Sequence, residues 1–212
     1  MTQIDLREGI VAAVRALSAH NLNHGTAGNV SARWNEGFLV TPTGLADDEM
    51  QPGDIVPMAL DGSWRGARKP SSEWRFHRDL YAARAEAGAV VHAHAPFATA
   101  LACIGADIPP FHYMIARFGG ATVRCAAYAT FGTQALSDAA LTALDGRCAC
   151  LLANHGMLVF GRDLRQALDL AIELESLCEQ YWRALQVGQP VLLDATEMEV
   201  VLEKFRTYGQ QN

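Results

Sequence analysis

Apolar residues recur at helical spacing through IDLREGIVAAVRALSAHNL, with Ile4, Ile10, Val11, Val14 and Leu17 on one stripe. They predict an amphipathic helix that stops before the turn-like NHGTAGN. GFLVTPTG and DIVPMALDGSW read as two strands, the second closing on an Asp-Gly turn. PSSEWRFHRDLYAARAEAG places Pro and Ser at capping positions, is rich in helix formers and closes on Gly88, which predicts a helix of about three or four turns. The strand AVVHAH follows, then a helix from about Pro96 and a Gly-broken segment through YMIARFGG. Next come a strand TVRCAAYA, a helix from about Thr133, a strand CACLLANHG and a long helix from Asp163 to about Val187. ATEMEVVLEKFRTYG reads as a last helix. No internal repeat or low-complexity linker divides the chain. The pattern predicts one α/β domain over residues 1–212, with a central, largely antiparallel mixed sheet covered by helices. Strand order does not follow from it.

Composition narrows the partners. The 212 residues are 50% hydrophobic, enough for a substantial core, and the formal charge is -6. With no Lys/Arg cluster to track a phosphate backbone, nucleic acid is not expected as a partner. No uninterrupted apolar run of membrane-spanning length and no leader pattern is visible, so a soluble cytoplasmic protein is expected. The five cysteines are odd in number and lack framework or zinc-finger spacing, and they read as reduced, mostly buried thiols.

Two histidines interrupt the apolar strand. His92 and His94 lie two apart, so an extended backbone sends both imidazoles to one face. Two ligands are half of a site, because a catalytic zinc ion takes three protein ligands and keeps a position open. Of the other histidines, only His155, in LLANHGMLV, ends a strongly apolar stretch just before a glycine. The plain alternative is a set of core histidines satisfied by hydrogen bonds. His20, His24, His77 and His112 read as surface residues or as residues behind the site. Glu73 stands at a predicted helix start beside two hydroxyls, where a glutamate also simply suits the helix dipole.

GTAGNVSAR, TPTG and PSSE share small residues with backbone N–H groups and hydroxyl or amide side chains. Such segments cradle phosphate without lysine, although each alone is ordinary turn chemistry. Beside a histidine site they point to a small phosphorylated substrate.

These blocks carry a resemblance. GTAGNVSAR, TPTG, KPSSEWRFH, VVHAHAPFATALA, HYMIARFGG, AAYATFGT, LLANHG and VLEKFRTYG run in the order seen in the class II aldolase/adducin-head family, and the chain resembles its L-fuculose-1-phosphate-cleaving branch most. The resemblance implies a metal site of His92, His94 and His155, with Glu73 completing the sphere and then transferring a proton. It implies one divalent ion per subunit, zinc first, with manganese or cobalt as alternatives. Gly28, Asn29, Thr43, Gly44, Ser71 and Ser72 would bind the substrate phosphate. Tyr113 and Tyr208 would complete the site from a neighbouring subunit of a homotetramer. The implied reaction splits a ketose 1-phosphate of the L-fuculose type into dihydroxyacetone phosphate and a lactaldehyde-type aldehyde. A metal-stabilised enediolate needs no Schiff-base lysine, and the two lysines, Lys69 and Lys204, lie outside the metal motifs. The same residues suit 5-deoxyribulose 1-phosphate or its methylthio analogue. A sugar-phosphate 4-epimerase, a decarboxylase or a non-catalytic adducin-like module rank lower. Arg117 and Phe118 depart from the small residues expected there, which points to a different aldehyde side of the pocket.

Overall fold

A computed structural model describes residues 2–207. Seven strands form one sheet in the order β3-β2-β1-β4-β7-β6-β5. They are β1 (Asn29–Trp34), β2 (Gly37–Val40), β3 (Val56–Ala59), β4 (Ala89–Ala93), β5 (Arg124–Ala126), β6 (Ala149–Leu152) and β7 (Gly156–Gly161). Only the β5–β6 pairing is parallel; the others are antiparallel. The expected mixed, largely antiparallel sheet is therefore present.

The helices are α1 (Gln3–Ala19), α2 (Trp74–Ala83), α3 (Pro96–Cys103), α4 (Gln134–Ala143), α5 (Leu164–Val187) and α6 (Ala195–Thr207). Strand alternation sends side chains into two cores. Val30 and Ala32 of β1 and Val91 of β4 pack with Ile10 and Leu17 of α1, Leu101 of α3 and Leu174 of α5. On the other face, Val90 of β4 and Leu158 of β7 pack with Phe76 and Leu80 of α2 and with Leu136 and Ala140 of α4. His92 and His94 share the parity of Val90, so they face the α2 side.

Three local features differ from the sequence expectation. β1 starts inside the block that read as a turn. CACLLANHG is not one strand: β6 ends at Leu152, and the chain turns through Ala153, Asn154 and His155 into β7. Asn154 takes a left-handed φ of 56°, which asparagine tolerates better than most residues. His155 thus comes from a hairpin turn, not a strand end. α2 begins after Glu73, its N-cap residue, and ends at Ala83, so Pro70, Ser71 and Ser72 lie in the preceding loop and Gly88 lies beyond the helix. The helices expected near Pro96, Thr133 and Asp163 start there, with Thr133 and Asp163 as N-caps. Among the described residues no helix is long and apolar enough to cross a membrane.

Candidate active site

The sheet register sets the site. Asn29 at the start of β1 stands opposite His92 of β4, and His94 follows directly after the strand. The β6–β7 turn delivers His155, and the N-terminus of α2 delivers Glu73. The three imidazoles meet with ring centroids 4.7–4.9 Å apart. Ligand atoms of Glu73, His92, His94 and His155 all lie within 4.8 Å of one another. The structure thus brings His155 to the two histidines of the H-x-H motif, although its element was read differently.

Hydrogen bonding orients these groups toward one point. His92 Nδ1 lies 2.9 Å from the Met157 carbonyl oxygen, which holds a proton on Nδ1, so that the neutral ring turns its Nε2 lone pair inward. That Nε2 is 3.1 Å from Nε2 of His94 and 3.2 Å from Glu73 Oε2. Glu73 Oε1 lies 3.2 Å from His155 Nε2, yet it is buried without a hydrogen-bond partner. A buried carboxylate oxygen left without a hydrogen bond beside three imidazole nitrogens favours a positive charge at their meeting point. Three imidazole nitrogens and one carboxylate are a suitable donor set for a divalent transition ion.

Electrostatics point the same way. Burial works against ionisation of Glu73, but His92, His155 and the Asn29 amide outweigh it and hold the carboxyl down at about 2. Burial also opposes charge on His92, whereas the Glu73 carboxylate and the Met157 carbonyl raise it above the usual imidazole value. Burial and the neighbouring His92 lower both His94 and His155 to about 4, so these two are neutral near pH 7, as metal ligands must be.

The cluster opens into a cavity of about 370 Å³. All six residues expected to hold phosphate, Gly28, Asn29, Thr43, Gly44, Ser71 and Ser72, line it together with Glu73, His94 and His155. Their loops are brought side by side by backbone pairing. Pro42 bridges Pro70, Ser71 N–H donates to the Thr41 carbonyl, and Thr43 N–H donates to the Lys69 carbonyl. Gly28 is required by space and conformation: its φ is 76°, and a Cβ there would overlap the Asn23 amide. That amide accepts the backbone N–H of His94 at 3.1 Å. The lining holds no lysine or arginine, so an anion would meet neutral N–H and O–H donors. Thr26, Tyr128, Phe131 and Asn154 also line the cavity and were not singled out from the sequence. AAYATFGT was recognised only as a block, and nothing in its spacing marks Tyr128 and Phe131 as wall residues.

Other expected residues lie elsewhere. Tyr113 is half exposed and borders a second cavity with His112, Met114 and Phe205, one that Glu73 does not line. Tyr208 lies outside the described residues. Arg117 and Phe118, expected to shape the aldehyde side, do not line the cavity of their own chain. Arg117 pairs with Glu173 at 3.1 Å, and Phe118 is fully buried in the core. Of the histidines set aside, His20 and His24 are exposed, whereas His77 is fully buried behind the site. The cysteines are free thiols as expected, although Cys103 is exposed rather than buried.

Comparison with known proteins accords with this geometry. The family described as Class II Aldolase and Adducin N-terminal domain matches residues 8–182. A 5-methylthioribulose-1-phosphate/5-deoxyribulose-1-phosphate aldolase from Rhodospirillum rubrum is 57% identical over 208 residues, covering 98% of this chain and 94% of its own. An L-fuculose phosphate aldolase from Escherichia coli is 43% identical over 210 residues, covering 99% and 98%. A solved L-fuculose 1-phosphate aldolase superposes with a TM-score of 0.92 at 39% identity, over 95% of this chain and 96% of its own. With a family match across most of its length and relatives of this identity, the chain belongs to the class II aldolase and adducin N-terminal domain family, as one of its class II aldolases.

Proposed function

We propose that this protein reversibly cleaves 5-methylthioribulose 1-phosphate or 5-deoxyribulose 1-phosphate to dihydroxyacetone phosphate and a small aldehyde. The observation that carries the substrate is the 57% identity to an aldolase named for both, against 43% to an L-fuculose phosphate aldolase. This reverses the order in which the sequence alone ranked the two substrates. L-fuculose 1-phosphate is kept as a second reading because the TM-score of 0.92 belongs to an enzyme named for it.

The residues present suit the chemistry. His92, His94 and His155, with Glu73 as a displaceable fourth ligand, would hold the ion; zinc is our first choice, with manganese or cobalt suited to the same imidazoles. When bound, a divalent ion supplies Lewis-acid stabilisation of the negative charge that cleavage leaves on the substrate. The donors of Gly28, Asn29, Thr43, Gly44, Ser71 and Ser72 bind the phosphate and so place the ketose carbons against Glu73. As the C3–C4 bond breaks, its electron pair stays on C3 and the C4 hydroxyl gives up a proton to become the aldehyde. Glu73 delivers a proton to C3, or removes it in the synthetic direction. We assign the C4 proton to Tyr113 of a neighbouring subunit, with Tyr208 closing the same side. What supports a shared site is that Tyr113 is exposed and borders a different cavity from the one Glu73 lines. The protein is accordingly read as a cytoplasmic homo-oligomer, a tetramer with sites at its interfaces.

The test is kcat/KM for 5-methylthioribulose, 5-deoxyribulose and L-fuculose 1-phosphates, followed by dihydroxyacetone phosphate release. The two ribulose derivatives are expected to exceed the fuculose substrate by about tenfold or more. A preference for L-fuculose 1-phosphate would restore the second reading.

A further inference from the structure

Behind Glu73 two periodicities interlock. Glu73, His77 and Tyr81 are four residues apart at the start of and along α2, so they form one stripe. Asn29 and Ser31 are two apart on β1 and share the sheet face that meets α2. Four helical residues rise about 6 Å and two strand residues about 6.7 Å, so the rows can interdigitate along their length. They do. The Tyr81 hydroxyl is 2.8 Å from Ser31 Oγ, which is 2.6 Å from His77 Nδ1. His77 Nε2 is 2.6 Å from Asn29 Oδ1, and Asn29 Nδ2 donates to Glu73 Oε2 at 3.0 Å. All five side chains are buried.

The proton inventory gives this chain a direction. An ionised Glu73 only accepts, so Asn29 must present its NH₂ to it and its carbonyl oxygen to His77. His77 must then carry its proton on Nε2 and accept at Nδ1 from Ser31, which accepts in turn from Tyr81. Inverting any link leaves two donors or two acceptors face to face in a buried site.

We propose that Tyr81, Ser31 and His77 are positioning residues that lock the Asn29 amide in one orientation and thereby hold the Glu73 carboxylate for proton transfer. The inference rests on the reading of Glu73 as the proton-transfer residue. Loss of the His77 donor frees the Asn29 amide to rotate and withdraw its NH₂ from Glu73. Glutamine at position 77 keeps an N–H donor near the place of Nε2, whereas leucine keeps only the volume.

The experiment compares wild type with His77→Gln, His77→Leu and Tyr81→Phe, as metal-replete proteins. It measures kcat and KM for cleavage, exchange of the C3 proton of dihydroxyacetone phosphate, and bound metal. His77→Leu should lose about tenfold or more in kcat and exchange with metal content nearly unchanged and any rise in KM smaller than the fall in kcat, His77→Gln should stay within about threefold of wild type, and Tyr81→Phe should fall between them. Equal losses in the Gln and Leu variants, or a His77→Leu enzyme as fast as wild type, would overturn the proposal. Imidazole ¹⁵N NMR of the wild-type protein gives a readout that needs neither activity nor a folded variant. A neutral His77 protonated on Nε2 is expected, and protonation on Nδ1 would overturn the directed chain. If wild type itself neither cleaves nor exchanges, the aldolase reading fails, and the tautomer alone decides the chain.

Discussion

Glu73 sits where a sequence reader sees only an acidic residue at a helix start. Its position as N-cap without a side-chain capping bond frees the carboxylate to turn toward His92 and His155. The histidines it meets were legible because H-x-H in an extended chain sends both rings to one face, and because His155 stands out by its apolar setting. The buried role of His77 was not legible, since a histidine in WRFHRD has no local mark; only the β1–α2 contact gives it partners. Glu73→Gln keeps the size of the side chain and an oxygen facing the cluster but cannot carry the C3 proton. It should retain most of the metal while exchange of the C3 proton of dihydroxyacetone phosphate falls by about 100-fold or more, read by loss of isotope label. Unchanged exchange would remove Glu73 from proton transfer.

Elements that follow one clear period were legible, and those whose boundaries depend on partners were not. α5 and α4 announce themselves through Asp163 and Thr133, whose side chains accept from Gln166 N–H and Leu136 N–H. β1 was hidden because Gly28 and Asn29 read as turn chemistry, and its pairing with both β2 and β4 is a tertiary choice. β6 and β7 merge in the sequence because LLANHGMLVF is apolar on both sides of a short turn, and only Asn154 hints at the left-handed residue. Sheet order depends on the same long-range pairings, which no local pattern encodes. Removing the cap of the longest helix is a direct check on element energetics. Asp163→Ala should cost about 1 kcal/mol, lowering Tm by about 2–4 °C without altering kcat, as read by thermal unfolding.

For the whole molecule, the histidines at and behind the site make stability depend on pH. An unfolded imidazole titrates near 6.5. In the metal-free fold, burial keeps His77 neutral down to about 3, while His94 and His155 are lowered to about 4. Between these values and 6.5 the unfolded chain binds more protons, so these three groups make stability fall as pH falls. His92, raised by Glu73, acts in the opposite sense: its contribution is present below 6.5 and lost as pH rises. Glu175 and Asp47, raised by burial from carboxylate values below pH 5, act in the sense of His92 but mostly below this window, so the three lowered imidazoles predict a lower Tm for the metal-free protein at pH 5 than at pH 7 in calorimetry. A bound ion should steepen the decline, because protons compete for its ligands. A Tm that rises on acidification would show that these imidazoles are not held neutral.

The most direct measurement is dihydroxyacetone phosphate release from 5-methylthioribulose 1-phosphate before chelation, after it, and after the divalent ion is restored. Release that is abolished by the chelator and recovered with zinc, manganese or cobalt is the predicted result. Release that continues at full rate in protein verified to be metal-free would contradict a metal-dependent aldolase built on His92, His94, His155 and Glu73.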